Sequence, residues 1–167
     1  EQGSASLGQY FVVGDRKSDY SRQLHQARAA MPQALAQRLH IIPETPDIHR
    51  YYRAADVALC TSRVESFPRV ILEAMAFGLP VISTDVFGIK EQVSHGVNAL
   101  LYTPGDVAKL AEHLASLAGS DDLRHKLASN ALPMLDTLNS YDQMIAAYGE
   151  FFREAAVSSP ATLPGAT

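Results

Sequence analysis

Short, almost continuously apolar runs alternate along the chain with longer segments whose apolar positions return every three or four residues. The first pattern suits a strand covered on both faces, and the second an amphipathic helix. Strands are expected over 9–13, 39–42, 56–60, 80–84 and 99–102, each closed by turn residues such as Gly14-Asp15, Pro43, Thr61-Ser62, Asp85 and Thr103-Pro104-Gly105. Helices are expected between them, over 20–30, 47–54, 69–77 and 89–94. Such alternation predicts an α/β fold: a Rossmann-like parallel sheet flanked by helices, with right-handed crossovers returning each strand to a parallel neighbour.

After the fifth strand only helical patterns follow. Asp106 is placed to cap a helix whose apolar stripe is Val107, Leu110, Ala111, Leu114, Leu117 and Ala118. A second helix begins at Asp121-Asp122 and reaches about Met134. A third starts at Ser140 and carries Tyr141, Met144, Ile145, Tyr148 and Phe152 down one side. The aromatic set Tyr141, Tyr148, Phe151 and Phe152 reads as ordinary core, with a face for packing on another domain as the alternative. The organisation expected is a flexible start over 1–8, one folded unit over 9–154 and a disordered tail over 155–167, where Pro, Gly, Ser and Thr leave almost nothing to bury.

Composition narrows the field. At 167 residues and 47% hydrophobic the chain supports one core, and Cys60, its single cysteine, has no internal disulfide partner. The net charge of −4 and the lack of a basic run argue against nucleic acid as a partner. No apolar stretch approaches the roughly 20 residues of a membrane-spanning helix. The opening Glu1 to Ser6 lacks the basic start and apolar middle of a signal peptide, so a reducing, cytoplasmic setting is the expectation.

Several chemistries are excluded by their missing motifs. There is no Gly-x-Gly-x-x-Gly after the first strand, no Gly-Lys-Ser loop, no Gly-x-Ser-x-Gly elbow and no His-Glu-x-x-His. The histidines at 25, 40, 49, 95, 113 and 125 have no ligand spacing and read mostly as surface or loop residues. No Asp-x-Asp pair offers a divalent-ion site, so no metal and no cofactor is expected.

What remains is the segment from Thr61 to Thr84. A strand ends near Cys60, a polar loop follows, Pro68 suits the first turn of a helix, and that helix stops at Gly78. The loop therefore lies at the carboxyl edge of a parallel sheet, where such folds bind ligands. Glu73 sits on an otherwise apolar helix. Pairing with Arg69 four residues earlier would hold it only weakly, by about 0.5 kcal/mol or less in that order of charges. Glu65 precedes the helix, where a carboxylate gains ~0.3–1 kcal/mol from the helix N-terminus. The other reading of both is a ligand site: free amides of Phe67, Val70 and Ile71 receiving a phosphate, with Glu65 and Glu73 accepting from hydroxyls at either end of the ligand.

The run Glu65-Ser-Phe-Pro-Arg-Val-Ile-Leu-Glu73-Ala-Met-Ala-Phe-Gly-Leu-Pro-Val-Ile resembles the Glu-x7-Glu region of the nucleotide-sugar-binding C-terminal half of glycosyltransferase family 4, retaining enzymes of the GT-B fold. The resemblance extends to Tyr51–Leu59 before it, Asp85–Glu91 after it and Gly96–Asp106 at the last strand, and covers about 10–131. It implies transfer of a hexose-type sugar from a nucleoside-diphosphate donor to an acceptor hydroxyl of a glycan or glycolipid. By resemblance Glu65 is the catalytic candidate, accepting from hydroxyls of the donor sugar, and Glu73 holds the ribose. Backbone around Ser66, Phe67, Pro68, Val70 and Ile71 then contacts sugar and diphosphate, and Pro43, Glu44 and Thr45 border the base.

The chain also departs from the family pattern. The Gly-Arg…Lys-Gly segment that brings cations to the diphosphate has no counterpart here, and Arg16 and Lys17 do not match it. Ala99 and Phe87 stand where glycines are common. The N-terminal half that carries the acceptor site is not in this sequence, so weak donor binding and no efficient transfer are expected of the chain alone. For a longer protein acting on lipid-linked acceptors, peripheral membrane association stays open. Two other readings remain: a non-catalytic nucleotide-sugar-binding or interaction module, and a relative performing epimerisation or phosphorolysis.

Overall fold

A computed structural model of the chain describes residues 8–158. The elements follow as β1 (Tyr10–Asp15), α1 (Asp19–Ala29), α2 (Gln33–Ala36), β2 (Leu39–Pro43), α3 (His49–Ala54), β3 (Ala58–Cys60), α4 (Arg69–Ala76), β4 (Val81–Thr84), α5 (Ile89–Gln92), β5 (Ala99–Tyr102), α6 (Val107–Ala118), α7 (Asp121–Asp136) and α8 (Tyr141–Ser158). All five expected strands form, with ends displaced by at most two residues. The one-turn helix α2 was not foreseen; four residues carry too little periodicity to be read.

Every strand pairing is parallel, as the alternating pattern requires, but the strands do not form one sheet. β1 pairs with β2, in register Tyr10 to Leu39 through Val13 to Ile42, while β3, β4 and β5 make a separate sheet in that order. The crossover from β2 to β3 therefore does not return to a neighbour, which corrects the expectation of a single sheet. An apolar run reports that a strand forms; it does not report which strand lies beside it.

The three-stranded sheet is covered on both faces, and the alternation of its side chains shows how. On one side Val81, Ala99 and Leu101 pack with Ile71, Ala74 and Met75 of α4 and with Ala131 of α7. On the other, Ile82, Leu100 and Tyr102 meet Leu117 of α6 and Leu127 of α7. Burying each large aliphatic chain here is worth about 1.5–3 kcal/mol. α4 stops where its sequence says it should. Gly78 takes the left-handed φ of 69°, its amide donates to Met75 O at 2.9 Å, and that of Leu79 donates to Ala74 O at 3.0 Å, closing the last turn.

Three helical expectations change. Asp106 caps α6 as foreseen, accepting from the Lys109 amide at 2.9 Å, but the buried stripe is rotated. His113 and Leu117 are buried and Leu110 and Leu114 half-buried, while Val107, Ala111 and Ala118 are exposed. α7 runs through Pro133 to Asp136, and the Ser120 hydroxyl accepts from Leu123 N at its start. The aromatic stripe of α8 is not core: Tyr141, Met144, Ile145, Tyr148, Phe151 and Phe152 are all exposed. Helix α8 also continues to Ser158, four residues beyond the end set for the folded unit at 154. The rest of that tail, 159–167, and the start, 1–7, lie outside the described residues.

Candidate functional site

Loop 61–68 leaves the carboxyl end of β3 and delivers the chain into α4, so the motif occupies the sheet edge expected of it. Pro68 is buried and stands at the N-cap with extended backbone, one position before the first helical residue; no side chain caps the helix. The first amides of α4 are therefore short of partners. Those of Phe67 and Val70 have no hydrogen bond among the described residues. Ile71 is a correction: its amide donates to Pro68 O at 3.3 Å and its side chain is buried in the core, so it is not a free donor. Ser66 is exposed, and Phe67 and Val70 are only partly covered.

Each motif carboxylate is held by a hydroxyl. Ser62 Oγ donates to Glu65 Oε1 at 2.8 Å. The Ser62 carbonyl in turn accepts from Thr84 Oγ1 at 2.6 Å, and Thr84 is buried at the end of β4, so the loop is tied to the sheet through Ser62. Glu73 accepts from Tyr52 Oη at 2.9 Å on Oε2 and from Arg69 Nη2 at 3.2 Å on Oε1. The Arg69–Glu73 pairing expected from the spacing thus forms, but the guanidinium is largely in solvent and such pairs are worth little. Tyr52 is the partner that sequence reasoning missed. Burial, then the carboxylate of Glu73, pushes the Tyr52 phenol far above its ordinary pKa, so it stays protonated and donating.

Two further contacts shape the loop from beneath. Gln92, fully buried in α5, donates from Nε2 to Pro68 O at 3.2 Å, and Asn98 Nδ2 donates to the Gln92 carbonyl at 3.3 Å. Gln92 Oε1 has no partner among the described residues. Gly88 is packed so closely on the motif that a Cβ there would overlap the Ser66 carbonyl oxygen. The preceding residue, Phe87, adopts φ 40°, a left-handed backbone that favours glycine, and the residue is 71% exposed.

Pro43, Glu44 and Thr45 lie at the carboxyl end of β2. Glu44 pairs with Arg16 at 2.6 Å, its amide donates to Asp15 O at 3.3 Å, and Thr45 Oγ1 accepts from Asp47 N at 3.2 Å. No hydrogen bond or ion pair among the described residues links this loop to Glu65 or Glu73. A separate shallow depression, lined by Asp56, Leu79, Pro80, Arg124 and His125, opens near the amino ends of β3 and β4, away from the motif. Among the described residues no cluster of His, Cys, Asp and Glu could hold a metal ion. Five of the six histidines are exposed or half-buried; His113 is buried and satisfied, with Nε2 3.0 Å from Leu101 O.

Residues 9–133 match the family model for glycosyl transferases group 1. A D-inositol 3-phosphate glycosyltransferase of Geodermatophilus obscurus is 32% identical over 146 residues, covering 86% of this chain and 32% of the relative. HepE of Anabaena, solved in complex with UDP, superposes with a TM-score of 0.72 at 29% identity, over 91% of this chain and 41% of that one. The solved C-terminal domain of LpcC, a glycosyl transferase group 1 family protein of Francisella tularensis, superposes with a TM-score of 0.60 at 29% identity, over 71% and 62%. The chain thus spans about a third of the length of the curated relative.

Proposed function

The chain belongs to the family of glycosyl transferases group 1, and from that premise we propose that it is the nucleotide-sugar-binding half of a retaining GT-B glycosyltransferase. The enzyme moves a hexose-type sugar from a nucleoside diphosphate to an acceptor hydroxyl of a glycan or glycolipid. The observation that carries this reading is the uncapped N-terminus of α4, with Glu65 before it and Glu73 just over one turn into it, each carboxylate fixed by a hydroxyl donor. HepE has been solved with UDP and with UDP-glucose, and the chain matches it along nine-tenths of its length.

The roles follow from charge and geometry. The amides of Phe67 and Val70, at the positive end of α4, receive the diphosphate, and they stabilise it most as it departs with its developing charge. Ser66 and Pro68 shape the loop between sugar and phosphate. Glu73 accepts from the ribose hydroxyls. Glu65, oriented by Ser62, accepts from hydroxyls of the transferred sugar and holds the anomeric carbon in place, so that positioning supplies much of the rate. Pro43, Glu44 and Thr45 border the base. The acceptor is held by the part of the longer protein outside this chain, which covers 41% of HepE, so the chain alone binds donor without transferring it efficiently.

Titration of the isotopically labelled chain with UDP, GDP and ADP, followed by NMR, tests the reading. Amides of Ser66 to Glu73 shift with at least one nucleotide if it holds. No shift with any of the three overturns the donor assignment and leaves the interaction module. In the same titration Glu73→Ala weakens nucleotide binding by about 1–3 kcal/mol, the loss expected for hydrogen bonds to a charged group.

A further inference from the structure

We propose that Tyr52 is a positioning residue for nucleotide recognition: it aims the Glu73 carboxylate at a pair of adjacent hydroxyls and so sets the preference for ribonucleotides over deoxynucleotides. This rests on the donor-site reading above.

The argument begins with what holds Tyr52. Its ring stacks on Phe77 at 5.3 Å between centroids and 17° between planes, and Phe77 in turn meets His49 at 5.6 Å. Phe77 is the C-cap of α4, so the stack fixes α3 against the same helix that carries Glu73. With the ring held by the stack, its hydroxyl donates to Glu73 Oε2 across 21 residues of sequence.

The carboxylate is then half used. An ionised Glu offers about four lone-pair directions, two on each oxygen. Tyr52 takes one on Oε2 and Arg69 takes one on Oε1, leaving one acceptor direction on each oxygen. Two acceptors about 2.2 Å apart on a rigid planar group suit two vicinal hydroxyls, as on a ribose, better than one hydroxyl. The two holders are unequal. Arg69 reaches Glu73 from solvent on a flexible stem, whereas Tyr52 is anchored by its ring, so the orientation depends on Tyr52. Without the phenol the Glu73 side chain regains rotamers, and binding must again bear the cost of ordering it.

The test uses Tyr52→Phe, which keeps the stack on Phe77 and deletes only the hydroxyl. Affinities of the wild-type chain, Tyr52→Phe and Glu73→Ala are measured by NMR titration for whichever of UDP, GDP and ADP binds best and for its 2′,3′-dideoxy counterpart. Tyr52→Phe is expected to lose about 5–10-fold for the ribonucleotide, a loss of the size that removed preorganisation brings, and to change less than twofold for the dideoxynucleotide. A merely structural role would lower both affinities alike. Equal losses, or no loss, in Tyr52→Phe, while Glu73→Ala weakens the ribonucleotide more than the dideoxynucleotide, overturns the role of Tyr52 and leaves the ribose reading intact. Equal losses for the two nucleotides in Glu73→Ala, or no loss for either, overturns the ribose reading, and the role of Tyr52 with it.

Discussion

Strands β1 and β4 are similar in sequence character and opposite in fate. Phe11, Val12 and Val13 in β1 and Val81 and Ile82 in β4 belong to equally apolar runs. Yet Ile82 is fully buried while Phe11 is 53% and Val12 38% exposed. The difference lies in what covers them. β4 has a strand on either side and helices on both faces; β1 has β2 on one side, and its ring contacts are with His40 and Tyr51, at 4.6 and 6.1 Å. Apolar sequence makes a strand eligible for burial, and only neighbours bury it. The same contrast divides the candidate site. The Glu65–Glu73 segment is anchored to the buried sheet through Thr84 and to α5 through the buried Gln92, whereas Pro43, Glu44 and Thr45 hang from the exposed pair.

Paired truncations in the two sheets put the contrast under the most strain. Ile82→Ala should cost about 2–5 kcal/mol in urea unfolding, and Val12→Ala less than about 1.5 kcal/mol, because the site already meets water and little cavity is left. Comparable losses would mean that β1 is buried as well as β4. Next in size, Gly88→Ala forces a methyl group onto the Ser66 carbonyl. It should cost about 3 kcal/mol, the upper part of the overpacking range, and should abolish the nucleotide-induced shifts of Ser66 to Glu73. An unfolding midpoint at the wild-type position would show that the close approach is not needed.

Thr84→Val tests the tie between loop and sheet at about 1–2 kcal/mol, since it removes the donor to the Ser62 carbonyl while keeping the shape. It should also broaden the Glu65 resonances. The smallest effect concerns the exposed pair. The Ser21 hydroxyl and then His25 hold the Asp15 carboxyl below the usual carboxylate range at the end of β1. A carboxylate lowered in the fold adds stability above its unfolded value of about 3.9, and loses it as pH falls through the lower folded value. An NMR titration of Asp15 should give a midpoint below 3.9 on that ordinary scale, and Ser21→Ala should move it upward more than His25→Ala does. A midpoint unmoved by either change would leave that end of β1 without its polar lock.

Local pattern determined much of this protein. The five strands, the start of α4 beside Pro68, its stop at Gly78 and the cap at Asp106 are encoded within a few residues of where they act, through fixed dihedrals and nearby hydrogen bonds. The Glu65–Glu73 motif was legible for the same reason, since its spacing and its loop are contiguous. Phe87 is an instructive middle case: the resemblance marked it as a position that glycine often fills, and the left-handed backbone supplies the physical cause. Tertiary structure alone decided the split into two sheets, the rotated stripe of α6 and the exposure of the α8 aromatics, because each depends on whether another element arrives to cover a face. It alone brought Tyr52 to Glu73, Thr84 to Ser62 and Gly88 to Ser66 across about twenty residues of chain. Those contacts have no local signature, since a hydroxyl or a glycine can be read for what it offers but not for the partner that folding sets against it.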